Sequence, residues 1–206
     1  VVINWESFNI APNEVTHFIQ PNALSLALNR IGGTAPSEIF GALRANGIVM
    51  LLNRNGVIFQ PGSQVDVGGL VASSLNMTDH DFLAGNYRLL GAVTDGLVRN
   101  LGNIRAGAGG VYLIAPNVEN GASGIITAND GSVSLAAGTT AYLSSRSDGR
   151  GFLVELQAPV GEALNLGTLT ADGGHISMAG ASGNQQGGGQ AHALANPGGK
   201  IEVGAE

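Results

Sequence analysis

Chemistry in this chain would begin with its histidines and carboxylates. There are four histidines, His17, His80, His175 and His192, and no cysteine. They lie far apart, and none shares a metal-binding frame with a second ligand. Asp79-His80-Asp81 is the one compact polar cluster. It lacks a third strong ligand nearby, and a solvated loop accounts for it. Asp130 and Asp172 occupy similar turn positions, as a pair of glycosidic carboxylates would. Their offset of 42 residues reads as two periods of the repeat described below. Two strand spacings are about 9.6 Å, too far for a retaining pair and slightly beyond the usual inverting range. No Gly-x-Ser-x-Gly elbow, P-loop, zincin motif, EF-hand loop or dinucleotide fingerprint occurs. The sequence predicts neither an enzyme nor a bound cofactor or metal.

Composition excludes other classes. The net charge is −6, and nine basic residues are scattered singly, so no cluster neutralises nucleic-acid phosphates. No apolar run approaches the ~20 residues of a membrane helix. Val1 opens directly into a strand pattern, so no signal peptide is expected in these residues. Without cysteine there are no disulfides. Glycine is 33 of 206 residues, but charged residues are only 12%, which describes a folded chain with many turns and few exposed helices. No compositional break divides residues 1–206, and one domain is predicted.

The elements are turns and strands. Between Asn46 and Phe59, two apolar runs, Ile48–Leu52 and Val57–Phe59, are each entered through Asn-Gly. Asn-Gly supplies φ > 0 at low cost, and the runs are too short for helices. Upstream, Leu24, Leu26 and Leu28 alternate with smaller or polar residues, a strand pattern. Trp5, the only tryptophan, reads as a core or end-cap aromatic. Residues 34–46 read as strand, because a helix there would last two turns and contain Gly41.

From residue 100 a repeat emerges. Ile104, Ala106, Val111 and Leu113 recur 22 residues later as Ile126, Ala128, Val133 and Leu135. Ile126 and Val133 recur 43 residues later as Leu169 and Ile176, which reads as two periods, with residues 139–160 forming an irregular copy. A period in the twenties, with Gly-bounded short strands and no leucine-rich-repeat frame, predicts an all-β parallel β-helix. At ~21 residues per turn the chain would make roughly ten coils, a rod of about 45 to 50 Å. Asn100, Asn103, Asn117, Asn120 and Asn165 fall at strand ends. They read as turn residues, some of them stacking as an amide ladder. Gly180–Gly199 is rich in Gly, Gln and Ala and reads as a flexible loop before Lys200-Ile201-Glu202-Val203 resumes the strand pattern. Stopping inside the repeat without a cap, the chain is expected to be part of a longer one.

The opening third also carries ordered blocks. They are Ile3-Asn4-Trp5-x-x-Phe8-Asn9-Ile10, Phe18-x-Gln20, Leu28-Asn29-Arg30-Ile31, Ile39-x-Gly41-x-Leu43-x-Ala45-Asn46-Gly47, Leu52-Asn53-Arg54-Asn55-Gly56-Val57-x-Phe59 and Leu70–Ser74. This order resembles the secretion domain of filamentous-haemagglutinin-like exoproteins, in particular the high-molecular-weight adhesin branch. The detailed match covers roughly residues 3–90, the motif-rich region, and residues 91–206 are similar as repeat coils. The resemblance implies a right-handed parallel β-helix with small extra-helical β elements. It implies a secretion signal in two-partner secretion of Gram-negative bacteria. There the POTRA modules of an outer-membrane transporter bind the domain, which nucleates β-helix folding during export to the cell surface or medium. The family's Asn-Pro-Asn-Gly turn falls on Asn53-Arg54-Asn55-Gly56, with Arg54 in place of the φ-fixing proline. That turn, with Asn4, Trp5, Phe8, Asn9, Gln20, Asn29, Arg30, Asn46 and Gly47, is the implied recognition set. Such chains carry a cap and signal peptide before Ile3. A monomer is expected. The other reading is an adhesive module binding glycans or host proteins with the loops near Asp79–Tyr87 or Ser144–Gly151.

Overall fold

A computed structural model of the chain describes residues 1–91, 96–192 and 201–205. The chain winds in coils. The first holds β1 (Val2–Trp5) and β2 (Val15–Phe18), and the second β3 (Leu26–Ile31), β4 (Ser37–Ile39) and β5 (Ala42–Ala45). The third holds β6 (Ile48–Asn53), β7 (Val57–Phe59) and β8 (Gln64–Val67). The fourth begins with β9 (Gly69–Ser73), leaves the coil through α1 (Asp79–Leu83) and β10 (Tyr87–Leu90), and returns as β11 (Leu97–Asn100) and β12 (Asn103–Ala106). The fifth is β13 (Val111–Ala115), β14 (Asn117–Asn120) and β15 (Ile125–Asn129). The sixth starts with β16 (Val133–Ser145), makes a hairpin with β17 (Phe152–Pro159), and resumes with β18 (Glu162–Asn165) and β19 (Thr168–Asp172). β20 (Ile176–Gly180), β21 (Ser182–Gln185) and β22 (Gly188–His192) form the seventh, and β23 (Ile201–Ala205) opens the eighth.

Corresponding strands stack into three parallel sheets. One runs β1-β3-β6-β9-β13-β16-β20-β23, a second β4-β7-β11-β14-β18-β21, and the third β2-β5-β8-β12-β15-β19-β22. This is the parallel β-helix that the repeat predicts, and the strand reading of residues 34–46 holds as β4 and β5. Ile104 pairs with Ile126 and Val111 with Val133, so 22 residues is one coil.

Four expectations need correction. Ile126 pairs directly with Leu169 and Val133 with Ile176, so the 43-residue offset is also one coil. The extra chain is the antiparallel hairpin of β16 and β17, standing off the solenoid. Its length matches one coil, so the spacing alone cannot distinguish it from a further turn of the β-helix. With that insertion and the one between β9 and β11, the longest face has eight stacked strands rather than roughly ten. Eight rungs span about 34 Å at the strand spacing. Gly180–His192 is not a loop: β21 and β22 continue two faces, because backbone N–H and C=O groups donate and accept in the ladder whatever the side chain. Residues 193–199 of that stretch, and Lys200 after it, lie outside the described residues. Finally, Asp79-His80-Asp81 begins α1 rather than a loop. Thr78 caps it, its hydroxyl oxygen accepting from the Asp81 amide at 3.0 Å.

The three faces are buried differently. On the second and third faces inward aliphatics alternate with outward polar residues, as in β8, where Val65 and Val67 are buried and Gln64 and Asp66 exposed. β6, β9 and β13 are buried along their whole length. Their inward residues, such as Leu51, Ala72 and Leu113, join the solenoid core. Their outward residues, such as Met50, Val71, Tyr112 and Ile114, join a second cluster with Leu75, Met77, Phe82, Leu89 and Phe152. The roof over that cluster is α1 and a small antiparallel sheet in which β16 lies between β10 and β17. A strand covered on both sides must be continuously apolar, which explains the unbroken run Ile48–Leu52. Tyr112 fastens the roof: its buried phenol oxygen accepts the Phe152 amide at 2.7 Å.

Candidate functional site

The recognition set predicted from sequence lies in the first three coils and forms four locks. The turn Asn53–Gly56 closes β6 onto β7. Asn53 is fully buried, and its amide group donates to Ala35 O and Ser37 Oγ, both at 3.0 Å. Its side-chain oxygen accepts from the Asn55 backbone at 3.0 Å, an Asx turn. Asn55 in turn donates to Gly33 O at 2.8 Å. The Gly56 carbonyl accepts the Ser37 amide at 3.0 Å. The turn is thus tied at three points to residues 33–37 of the coil beneath. Gly56 has φ +110°, and a Cβ there would lie 2.6 Å from Leu97 O on the coil above. No other residue fits. Arg54, at the apex, is exposed.

The second lock joins Gln20 and Asn46. The Asn46 side chain accepts from the Gln20 amide and donates to the Gln20 carbonyl, each at 2.7 Å. The Gln20 side chain reaches Ser25 O at 2.6 Å and Ile48 O at 3.2 Å. Gly47 leaves it room, since a Cβ there would lie 2.7 Å from Gln20 Nε2 and from Ser25 O.

The third lock is the aromatic end of the rod. Trp5 meets Phe8 edge-on at 5.3 Å, and Phe8 stacks on Phe18 at 6.4 Å. The Trp5 indole donates to Asn29 Oδ1 at 2.9 Å, and the buried Asn29 amide reaches up to Met50 O at 3.3 Å. Of the two sequence readings of Trp5, core or end-cap aromatic, this position is the end cap. Asn9 accepts the Glu38 amide at 2.8 Å one coil up.

Arg30 is the fourth. Its guanidinium donates to Asn4 Oδ1 at 3.1 Å, Asn76 Oδ1 at 3.1 Å and Met77 O at 2.6 Å, and pairs with Asp79 at 2.6 Å. One side chain thereby ties β1 to the segment leading into the roof. A planar fork of five donors is suited to this, and a lysine would not replace it. The sequence reading singled out Arg30 but missed its partners Asn76, Met77 and Asp79, which come from an insertion with no repeat signal. It also missed Ser37 beneath Asn53.

Elsewhere, Asn100, Asn120 and Asn165 form the amide ladder. Asn100 donates to Asn120 at 2.8 Å, Asn120 to Asn165 at 2.7 Å, and Asn165 to Gln185 at 3.2 Å. Asn103 and Asn117 begin strands and stay outside it. His17, His80 and His192 fall on β2, α1 and β22, His175 lies in the link before β20, and His80 is exposed. Asp172 pairs with Asn129, so Asp130 and Asp172 stand on adjacent coils rather than two apart. The separation argument against a carboxylate pair therefore does not apply. Among the described residues no group of three or more His, Asp or Glu could hold a metal ion.

Three stacked parallel faces around one core, with no closed barrel, define a parallel β-helix whose first coils are closed by single-use locks. The chain belongs to the TPS secretion domain family, whose model matches residues 1–203. It is similar to the HMW1 secretion domain from Haemophilus influenzae, a crystal structure, with a TM-score of 0.81 and 33% identity. That match covers 89% of this chain and 50% of the other. Two Haemophilus influenzae proteins named heme/hemopexin-binding protein are 45% and 43% identical over 75 residues, 36% of this chain. Those residues are 8% of each relative's length.

Proposed function

We propose that residues 1–206 form one secretion-signal domain that delivers a longer exoprotein to its transporter. The transporter's periplasmic POTRA modules recognise the first coils around Asn53–Gly56. Those coils then template the stacking of the rest outside the cell. The domain carries out no reaction. The observation that supports this most is the concentration of non-repeating polar contacts in coils one to three. A plain solenoid needs only repeats, so single-use contacts at one end are suited to an address and a starting template.

The energetics are adequate for a template. At ~0.05–0.15 kcal/mol of stability per residue, a coil of roughly 22 residues contributes about 1–3 kcal/mol. That exceeds thermal energy, so each coil that stacks outside biases the chain against sliding back. The test is export of the complete exoprotein carrying Asn55→Ala with Gly56→Val. Secretion into the medium should fall strongly while expression is unchanged. Secretion at the unmodified level would refute a role for this turn.

A further inference from the structure

Resting on that recognition reading, we propose that a cleft beside the Asn53–Gly56 turn receives an acidic side chain of the transporter, with Arg54 as its counter-charge. The cleft has a volume of about 480 Å³ and is lined by Arg30, Gly33, Thr34, Arg54, Asn55 and Asn76, among others. No carboxylate lines it, in a chain whose net charge is −6.

The two arginines differ in what they already hold. Arg30 is committed to Asn4, Asn76, Met77 and Asp79. Arg54 makes no ion pair or side-chain hydrogen bond among the described residues. Every other arginine there has a partner or faces one. Arg99 pairs with Glu119 and Arg146 with Asp148. Arg88 lies over the Tyr142 ring, and Arg150 donates to Gly173 O. Arg44 and Arg105 sit in register with Asp66. Arg54 is thus a cation without a partner among the described residues, held on a tied turn at the rim of a cleft whose own lining has no carboxylate; Glu6 lies behind Gly33, and Asp79 is already paired with Arg30. A guanidinium so placed presents a planar fork to a carboxylate. The cleft is built from the second and third coils and the start of the roof segment, so it exists once few coils have formed. Charge complementarity therefore favours an Asp or Glu from the partner over an apolar or cationic group.

The experiment compares export of the full exoprotein through its own transporter, and retention of the 1–206 chain by that transporter in detergent, for Arg54→Glu, Arg54→Ala and Arg54→Lys. Arg54→Glu should lower both by about tenfold or more, the scale of one desolvated charge pair. Arg54→Ala should lower them by a smaller factor, and Arg54→Lys should retain most of the function. Reversing one acidic residue of the transporter's periplasmic part to Lys should restore Arg54→Glu. Thermal unfolding should not change, since Arg54 is exposed and holds no partner. The Asn55→Ala/Gly56→Val variant separates the two ideas. If it fails to export while Arg54→Glu and Arg54→Ala export normally, the acid-binding cleft is overturned and the recognition turn stands. If all three export normally, both fall.

Discussion

The first three coils and the four that follow are held together by different means. In coils four to seven one device repeats. Asn100, Asn120, Asn165 and Gln185 occupy the same rung position, each amide donating to the next. In coils two and three the matching rungs are Ile39 and Phe59, which stack without polar contact. There the coils are joined by locks used once: Asn53 on Ser37, Gln20 on Asn46, Trp5 on Asn29, and Arg30 on Asp79. A repeated ladder can be extended indefinitely but carries no address. Single-use locks cannot be extended, yet they give one end of the rod a distinct surface. The difference separates propagation from recognition within one fold.

The largest effect should come from the ladder. Asn120→Leu keeps the branched outline but strands one N–H of the Asn100 amide, whose other bond goes to Gly102 O, and the Asn165 oxygen in the core. Each buried unsatisfied group costs roughly 1–3 kcal/mol, so denaturant unfolding should show a loss of about 3–4 kcal/mol. A loss below 1 kcal/mol would mean the ladder is decorative.

The roof, which covers β6, β9 and β13 and so bridges early and later coils, gives a pH test. Burial pushes the Tyr112 phenol from 10.0 up to about 12. Below pH 10 the phenol is protonated in both folded and unfolded chains, and its stabilisation is fully present. Between pH 10 and about 12 only the unfolded chain ionises, so stability should fall as pH rises, by up to about 2–3 kcal/mol. Urea midpoints measured across that range should lose this slope in Tyr112→Phe.

In the early coils, Asn53→Ala removes four hydrogen bonds at the edge of the core. It should cost about 2 kcal/mol, with faster amide exchange confined to residues 33–56. If exchange rises equally in coils five to seven, the two regions are not separable in the way described.

Arg30→Ala should have the smallest effect on global stability, about 1 kcal/mol, because its ion pair with Asp79 is half exposed. Limited proteolysis should show faster cutting between Asn76 and Leu90. Unchanged protection of that segment would show that the roof does not depend on its tie to the first coils.

Much of this was legible in the residues. The 22-residue recurrence of Ile104 as Ile126 gives the coil length directly, because in a solenoid neighbours in space are one period apart in sequence. Asn100, Asn120 and Asn165 were visible as strand-end amides, and the opening blocks from Asn4 to Gly56 marked the region of the locks. The hairpin of β16 and β17 was not legible: an insertion as long as one coil shifts the count without disturbing the pattern on either side. The strands in Gly180–His192 were hidden for a related reason, since glycine-rich rungs carry no apolar alternation yet still complete the backbone ladder.

The sequence by itself determined the repeat, the inward aliphatics, the glycine at position 56 and the absence of cysteine chemistry. These follow from local rules: period, side-chain size and backbone freedom. Tertiary structure alone decided which runs are covered on both faces, that Arg30 reaches forward to Asp79, and that Arg54 has no partner among the described residues beside a cleft whose lining holds no carboxylate. Those are contacts between segments 16 to 46 residues apart in the cases of Asn53 with Ser37 and Arg30 with Asn76, set by how coils and insertions stack. No local pattern encodes them, because the same side chain would be satisfied, buried or free depending on what lies over it.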